Sequence, residues 1–308
     1  MSSFDAYCEL QGMLEGHIFC DEPMVRHTSF RVGGPADLFI ECASVRDLNF
    51  SLDVIARHQL PWAVVGKGSN LLVSDEGFRG AVLVLGAQFK SFSLPDLTCS
   101  QNKLVAGGGV QLSTLVQAAF KNGLSGFEFA VGIPGTLGGA VFMNAGSSDV
   151  WIGSIVESLT VLRPGEGLVR YQGSELPWGY RCSGLPAGEV IVECVLRVTP
   201  GHVGMIRAGM EASLTRRKKT QPLTTPNAGS IFRNPEGDSA GRIIEGLGLK
   251  GYTHGGAQVS EVHANFIVNT GNATASDVVA IIMHIRRRVR EEHGIELRPE
   301  IRFIGFET

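Results

Sequence analysis

The sequence has no marked excess of charge and no long apolar run. Its 27 basic and 30 acidic residues give a formal net charge of -3 over 308 residues, so neither nucleic acid nor an anionic membrane surface is demanded as a partner. No stretch approaches the roughly 20 apolar residues of a membrane span. The first residues, MSSFDAYCELQGML, lack a basic start followed by an apolar run. We therefore expect a cytoplasmic protein that binds neither nucleic acid nor membrane.

Motifs typical of metal, disulfide and common nucleotide sites are also missing. The six cysteines, at positions 8, 20, 42, 99, 182 and 194, contain no C-x-x-C pair. We therefore expect reduced thiols and no bound metal. There is no Gly-x-x-x-x-Gly-Lys-[Ser/Thr] sequence, and no Gly-x-Gly-x-x-Gly fingerprint opens a helix. A P-loop phosphotransferase and a Rossmann dinucleotide domain are therefore disfavoured.

Glycine is abundant, with 40 residues, but it is not periodic. In residues 60–86 apolar runs alternate with glycine-rich loops, which predicts strand, loop, strand, loop, strand. The first loop offers exposed backbone N–H groups, a lysine and a hydroxyl, which is what a diphosphate site needs. A tight hairpin without a ligand explains the same loop equally well. The loop consists of Gly66, Lys67, Gly68, Ser69 and Asn70.

A second glycine cluster, GFEFAVGIPGTLGGAVFMNAG at residues 126–146, is more apolar than a surface loop. Glycine permits the close approach of a flat ligand or of another stretch of backbone. Ligand contact and packing of chain on chain therefore both remain open from the residues alone. The glycines in question are Gly132, Gly135, Gly138 and Gly139.

The C-terminal third predicts two helices and a strand. MIRAGMEASLTRRKK has helical spacing and is stopped by Pro222, and a better marked helix ends before Gly294. The alternation in IELRPEIRFIG predicts a half-buried strand. Because Pro299 lacks an N–H, it belongs at an edge or a bulge, which sets Glu300 at an opening. The alternative for Glu300 is a surface carboxylate neutralised by neighbouring arginines.

Six motifs in order along residues 26–305 resemble the UDP-N-acetylenolpyruvoylglucosamine reductases, flavoenzymes of bacterial peptidoglycan precursor synthesis. They are GKGSNLLV, AVGIPGTLGGAVFMNAG, GYRCS, NAGSIFRNP, the stretch 240–269 from AGRII to FIVN, and LRPEIRFIG. The resemblance implies an α+β fold: a two-part FAD-binding domain of the vanillyl-alcohol-oxidase/p-cresol-methylhydroxylase type, followed by a C-terminal α+β substrate domain. The implied segments are 1–25 of unknown role, 26–88 and 89–202 for FAD, and 203–308 for substrate.

The same resemblance implies the chemistry. FAD is held without a covalent bond, NADPH is the hydride donor, and UDP-N-acetylglucosamine enolpyruvate is reduced to UDP-N-acetylmuramate. The chain looks like the shorter form of the family, without the extra substrate-covering loop, and we expect a monomer. The alternatives are another FAD oxidoreductase of the same fold and a non-catalytic protein that binds flavin or nucleotide.

Site residues follow position by position. Ser230 matches the family's proton donor, Arg181 its active-site arginine, and Glu300 its catalytic glutamate. Substrate contacts are expected at Asn234, His263 and Asn265. The loop 66–70 would face the diphosphate of FAD, and residues 132–139 would run along the flavin. For the family's substrate lysine, Lys218 and Lys219 are both possible.

Overall fold

The computed structural model describes residues 2–95, 102–146 and 150–306, so Cys99 lies outside the described residues. The chain divides into two compact units. The first unit comprises Met1–Cys20, Leu38–Gly66 and Gly80–Thr215, and the second comprises Asp21–Asp37, Lys67–Arg79 and Arg216–Thr308. The division predicted from the sequence has four consecutive segments, whereas each of these units consists of three separate stretches of the chain. The four-segment division stays a prediction.

Seven α-helices occur in the described residues, and helices and strands are mixed along the chain, as predicted for an α+β fold. The helices are α1 (Ser3–Leu10), α2 (Val45–Arg57), α3 (Leu112–Lys121), α4 (Leu137–Phe142), α5 (Val203–Thr220), α6 (Ala240–Gly246) and α7 (Ala275–His293). The strands of the first half are β1 (His17–Pro23), β2 (Pro35–Cys42), β3 (Trp62–Val64), β4 (Leu71–Val73), β5 (Phe78–Leu85), β6 (Phe92–Ser93), β7 (Lys103–Gly107) and β8 (Leu124–Ser125). Those of the second half are β9 (Val156–Arg163), β10 (Gly167–Gln172), β11 (Val190–Arg197), β12 (Thr199–Pro200), β13 (Thr253–His254), β14 (Ala257–Val259), β15 (Ile267–Asn269) and β16 (Arg302–Ile304).

The N-terminal segment, whose role the sequence leaves open, completes a hydrophobic core in the first unit. Ala6 and Leu10 of α1 are fully buried in one cluster with side chains of α2 and β2. The buried carboxylate of Asp47 accepts hydrogen bonds from the amides of Glu15 and Gly16, which follow α1. The part of the segment up to Cys20 therefore belongs to this unit. Truncating the buried Leu10 should destabilise the protein by roughly 2–5 kcal/mol.

The larger sheet of the first unit has the strand order β10-β9-β11-β7-β6. Its central strand β11 pairs antiparallel with both β9 and β7. Buried residues of β9, β7 and β11 form one cluster with the apolar sides of α3 and α4. This packing supports the glycine-rich segment that ends in α4. A second sheet has the order β1-β2-β5-β3.

Helix α7 organises the core of the second unit and confirms the helix predicted from its spacing. Its apolar residues at intervals of three and four are all buried, namely Val278, Ile281, Ile282, Ile285 and Val289. A capping box between Thr274 and Asp277 begins the helix, and Gly294 in the left-handed conformation ends it. The carboxylate of Asp75 also accepts from the amides of Ala275 and Ser276 in the first turn.

Two details of the predicted strands are wrong. The loop 66–70 does not close a hairpin, because β3 pairs with β5 and β4 pairs with β16, both in parallel. The last strand is confined to Arg302–Ile304, and the alternation predicted from residue 295 breaks at Pro299. Pro299 instead forms an isolated bridge with Phe232. Glu300, next in sequence, is buried with 8% of its surface exposed, whereas strict alternation puts it on the solvent side.

Candidate active site

Ser230 lies in a segment without regular secondary structure in the second unit, as predicted. The turn before it is held by Asn227, whose side-chain oxygen accepts from the amide of Gly229 at 2.9 Å. Ser29 donates its hydroxyl to the carbonyl of Asn227 at 2.6 Å. Gly229 has a φ of +76°, which a residue with a Cβ rarely adopts. Ser230 is half-buried and precedes the fully buried pair Ile231 and Phe232, so its position is set from both sides.

Backbone hydrogen bonds attach Glu300 to the residue that follows Ser230. The amide of Glu300 donates to the carbonyl of Ile231 at 2.7 Å. On the other side of the segment, the amide of Ile231 donates to the carbonyl of Asn265 at 2.9 Å. Ser230 and Glu300, two of the three predicted catalytic residues, therefore lie on backbone segments of one unit that are directly hydrogen-bonded to each other.

Asn265 was predicted to contact substrate, but both ends of its amide are engaged by protein backbone. Its side-chain oxygen accepts from the amide of Phe232 at 2.9 Å, and its nitrogen donates to the carbonyl of Phe232 at 2.8 Å. The side chain is buried, with 4% exposed. This geometry favours a role in holding the serine segment.

His263 and Asn234 also have defined partners. The amide of Asn265 donates to Nδ1 of His263 at 3.1 Å, so the neutral imidazole carries its proton on Nε2. Burial, and then the nearby charge of Lys250, lowers the pKa of His263 below its usual value. Asn234 is exposed, and its side-chain oxygen accepts from the amide of Ala240 at the start of α6. A neutral Nε2–H donor and an exposed amide both suit contacts with a polar ligand.

The loop from Lys67 to Asn70 is fixed at one end to the strand that follows Glu300. Asn70 donates its side-chain amide to the carbonyl of Glu300 at 3.2 Å, and its own carbonyl accepts from the amide of Arg302 at 2.9 Å. A Cβ on Gly68 would lie 2.2 Å from the carbonyl oxygen of His27, and its φ is +58°, so only glycine fits there. In the described part of the chain, the amides of Lys67 and Gly68 donate to no protein acceptor.

The second glycine cluster lies in the first unit, and its members have different tasks. Gly138 packs on Gly108, since a Cβ there would lie 3.0 Å from the carbonyl oxygen of Gly108, to which Gly138 also donates at 2.8 Å. Gly132 and Gly135 have φ values of +76° and +120°. Gly139 and Gly132 are exposed and leave the backbone bare. Chain packing thus explains Gly138, while the exposed members leave room for a flat ligand.

Arg181 occupies the third position of a tight turn in the same unit. The turn runs from Gly179 to Cys182, whose backbone groups exchange two hydrogen bonds of 2.9 and 3.2 Å. The φ of Arg181 is +56°, in the left-handed region that favours glycine. Its guanidinium carbon lies 5.4 Å from the centre of the Tyr180 ring. Such strain in a non-glycine residue is typical of functional positions.

Two family models match the chain. A family model described as "UDP-N-acetylenolpyruvoylglucosamine reductase, C-terminal domain" matches residues 221–304, and one described as "FAD binding domain" matches residues 36–171. The UDP-N-acetylenolpyruvoylglucosamine reductase of Heliobacterium modesticaldum is 48% identical over 286 residues, covering 92% of this chain and 90% of the relative. The chain belongs to this reductase family.

Other reductases of the family support the assignment. The reductase of Bacillus subtilis is 40% identical over 299 residues, covering 96% of this chain and 97% of the relative. The crystal structure of the reductase from Thermus caldophilus has a TM-score of 0.81 and 35% identity, with 94% of this chain and 99% of that chain covered. The resemblance inferred from the six motifs is therefore confirmed, as are the α+β fold class and the FAD-binding domain.

The residues present fit the cofactor of the reductase family. The amides of Lys67 and Gly68, together with the lysine charge, provide donors for a diphosphate. In the first unit, a Cβ on Gly66 would lie 2.5 Å from Oγ1 of Thr136, so this glycine permits the close approach of two loops. Thr136 was not singled out from the sequence. Its hydroxyl also accepts from the amide of Gly139 at 3.4 Å.

Cys42 and Cys194 are buried in the first unit. Burial raises the pKa of the Cys42 thiol to about 12 and also raises that of Cys194, so both are inert packing thiols.

Lys218 and Lys219 are both exposed near the end of α5, and the choice between them for the substrate lysine of the family stays open. None of the helices in the described ranges has the length and apolarity needed to cross a bilayer.

Proposed function

We propose that this member of the reductase family reduces the enolpyruvyl ether of UDP-N-acetylglucosamine enolpyruvate to the lactyl ether of UDP-N-acetylmuramate, with NADPH as the source of hydride and FAD bound without a covalent bond. The observation that carries the proposal is the attachment of Glu300 to Ile231, which brings the backbones of Ser230 and Glu300 side by side. Family membership supports the substrate class.

When bound, the flavin supplies hydride to the methylene carbon of the enol ether, and the chain's own residues handle the charge and proton that follow. Negative charge then develops on the adjacent carbon and its carboxylate. We propose that Ser230 donates its hydroxyl proton to that carbon and recovers a proton from solvent. A serine hydroxyl is a weak acid, but a carbanion-like centre is a far stronger base, and the fixed, half-buried segment limits competing water.

Glu300 and Arg181 are proposed to stabilise the same intermediate. Glu300 is buried, so a protonated carboxyl there can donate to the substrate carboxylate. Arg181 carries a permanent charge on a planar, forked donor that suits a carboxylate. His263 Nε2–H and the exposed amide of Asn234 are proposed to bind polar groups of the substrate. Asn265 is proposed to act through the segment it holds.

The finer assignments belong to the same proposal. Residues 26–88 and 89–202 form the two parts of the flavin domain, and residues 203–308 form the substrate domain, which agrees with the family matches to residues 36–171 and 221–304. Because its nucleotide-linked substrate and NADPH are intracellular compounds, we place the protein in the cytoplasm. We also propose that it is a monomer. Gel filtration of the holoprotein tests the monomer.

The two half-reactions separate the roles and test the proposal. Under anaerobic conditions NADPH should bleach the flavin band, and adding the enolpyruvyl UDP-sugar should restore it. Ser230→Ala should leave bleaching near normal and slow the recovery by about 10²-fold or more, because only the second step needs a proton donor. Ser239→Ala is the matched control, since that exposed serine begins α6 without a side-chain cap bond.

Three outcomes contradict the proposal in different ways. Equal loss of both half-reactions in Ser230→Ala refutes the proton-donor role. Bleaching without recovery in the wild-type protein indicates another FAD oxidoreductase of the same fold. Bound FAD with neither step indicates a non-catalytic binding protein.

A further inference from the structure

The turn that presents Arg181 is fixed from outside by one buried side chain. Asn144 donates its Nδ2 to the carbonyl of Gly179, the first residue of the turn, at 2.9 Å. The same carbonyl accepts from the amide of Cys182 at 3.2 Å, which closes the turn. The Asn144 side chain is buried, with 4% exposed, whereas Gly179 and Cys182 of the turn are exposed, so the amide reaches out from the core to a turn at the surface.

The other end of the Asn144 amide is anchored as well. Its Oδ1 accepts from the amide of Gly153 at 3.0 Å. A Cβ on Gly153 would lie 2.6 Å from the indole ring of Trp178, so Gly153 and the residue before the turn are in tight contact. The indole N–H of Trp178 in turn donates to the carbonyl of Gly173 at 2.7 Å. The amide of Asn144 therefore bridges two points of a rigid frame around the Arg181 turn.

The left-handed backbone at Asn144 permits asparagine but does not require it. Asn144 follows α4 with a φ of +43°, and its amide donates to the carbonyl of Val141 at 3.0 Å. The amide of Ala145 donates to the carbonyl of Ala140 at 2.8 Å. These bonds are typical of an α-helix that ends with one residue in the left-handed conformation. Glycine is the most common residue at this place in such endings. What asparagine adds is the amide that reaches Gly179 and Gly153.

We propose that Asn144 is a positioning residue of the reductase reaction, whose amide holds the Arg181 turn in its left-handed conformation so that the guanidinium meets the charge that develops on the substrate. This role rests on the function proposed above. A displacement of about 1 Å at a charged donor can cost about 10²-fold in rate. Loss of the amide therefore lowers the rate of substrate reduction, while the affinity for substrate changes little.

The variant Asn144→Gly removes the side-chain amide and introduces glycine, the residue that is most common at this position after a helix. Asn144→Asp keeps the acceptor for Gly153 but places an oxygen against the carbonyl of Gly179. Both should slow flavin reoxidation by the enolpyruvyl UDP-sugar by about 10- to 100-fold while FAD stays bound. Both should also lower the thermal midpoint, Asn144→Gly by a few degrees and Asn144→Asp by more, because Gly153 or Gly179 is left facing an unsuitable partner. Asn122→Ala is the matched control, because that amide only caps α3 at Ala118 and should leave both half-reactions unchanged.

A double-mutant cycle decides whether Asn144 acts through Arg181. In an Arg181→Ala background, Asn144→Gly should cause no further loss, because the group it positions is gone. An equal loss in both backgrounds, a wild-type rate for Asn144→Gly, or loss of FAD from both Asn144 variants overturns the positioning role. A wild-type protein that fails to reduce the sugar overturns the proposed function itself, and this role with it.

Discussion

The left-handed conformation of Arg181 makes it possible to separate its proposed catalytic role from its structural cost. With a φ of +56°, Arg181 occupies a region in which a side chain costs roughly 1–2 kcal/mol. Glycine at this position relieves that strain and removes the guanidinium at the same time. We therefore predict that Arg181→Gly retains or gains stability while it loses activity.

Three contributions to the change in stability can be given a magnitude. Relief of the left-handed backbone favours the variant by roughly 1–2 kcal/mol. Greater freedom of the unfolded chain opposes it by roughly 0.4–1 kcal/mol. Loss of the contact with the half-exposed Tyr180 ring, at 5.4 Å, opposes it by about 0.5 kcal/mol. These three contributions sum to within about 1 kcal/mol of zero, which corresponds to a shift of the thermal midpoint of a few degrees. Removing the charged donor should lower the rate of substrate reduction by about 10²- to 10³-fold.

Thermal unfolding of the holoprotein and single-turnover reoxidation of the flavin measure the two effects. Gln59→Gly is the matched control, because Gln59 is exposed and also left-handed, with a φ of +54°, but ends α2. It should show a stability change of similar size with full activity. A fall of the Arg181→Gly midpoint by ten degrees, or activity within twofold of wild type, refutes the assignment of Arg181.

Three further changes test other parts of the reasoning. Glu300→Gln should keep FAD bound and permit bleaching by NADPH while it slows reoxidation by the substrate, and an unfolded variant would instead assign Glu300 a structural role. Asp75→Ala should destabilise the protein by about 1 kcal/mol in urea unfolding without changing either half-reaction, since Asp75 caps the first turn of α7. Burial holds the pKa of His263 below its unfolded value of 6.5, so the unfolded chain binds more protons and stability falls as pH drops below about 6.5. The thermal midpoint of His263→Gln should fall less than that of wild type between pH 7 and pH 5, and parallel profiles would contradict this sign.

Local patterns were enough to predict much of the framework. The spacing of apolar residues in α7 predicted its buried face, because a helix that packs on a core repeats every three or four residues. The strands on either side of residues 66–70 were also predicted. Their partners were not, since parallel pairing joins β4 to a strand more than 200 residues away. An irregularity at Pro299 was expected because proline lacks an N–H, but the bridge to Phe232 that accompanies it could not be predicted from the sequence.

The roles of the amides could not be read from the sequence, because they depend on contacts between distant residues. Asn265 stands in a motif that suggests substrate contact, yet its amide binds the backbone of Phe232, 33 positions away. Asn144 stands in the quoted motif AVFMNAG and gives a weak local signal, since asparagine tolerates the left-handed conformation. Nothing in that motif points to Gly179.

Asn144 and Asn265 have in common that each holds a segment outside regular secondary structure that carries or adjoins a proposed catalytic residue. A segment outside helices and strands has no regular ladder of backbone hydrogen bonds, so its N–H and C=O groups need other partners. A neutral side-chain amide supplies a donor group and an acceptor group at once, and each of the two asparagines uses both. A carboxylate or an ammonium group in either place would add a charge that perturbs Arg181 or Glu300. Each segment is thus held by a group that fixes position without altering the charge of the residue it supports, which is what electrostatic stabilisation of a developing anion requires.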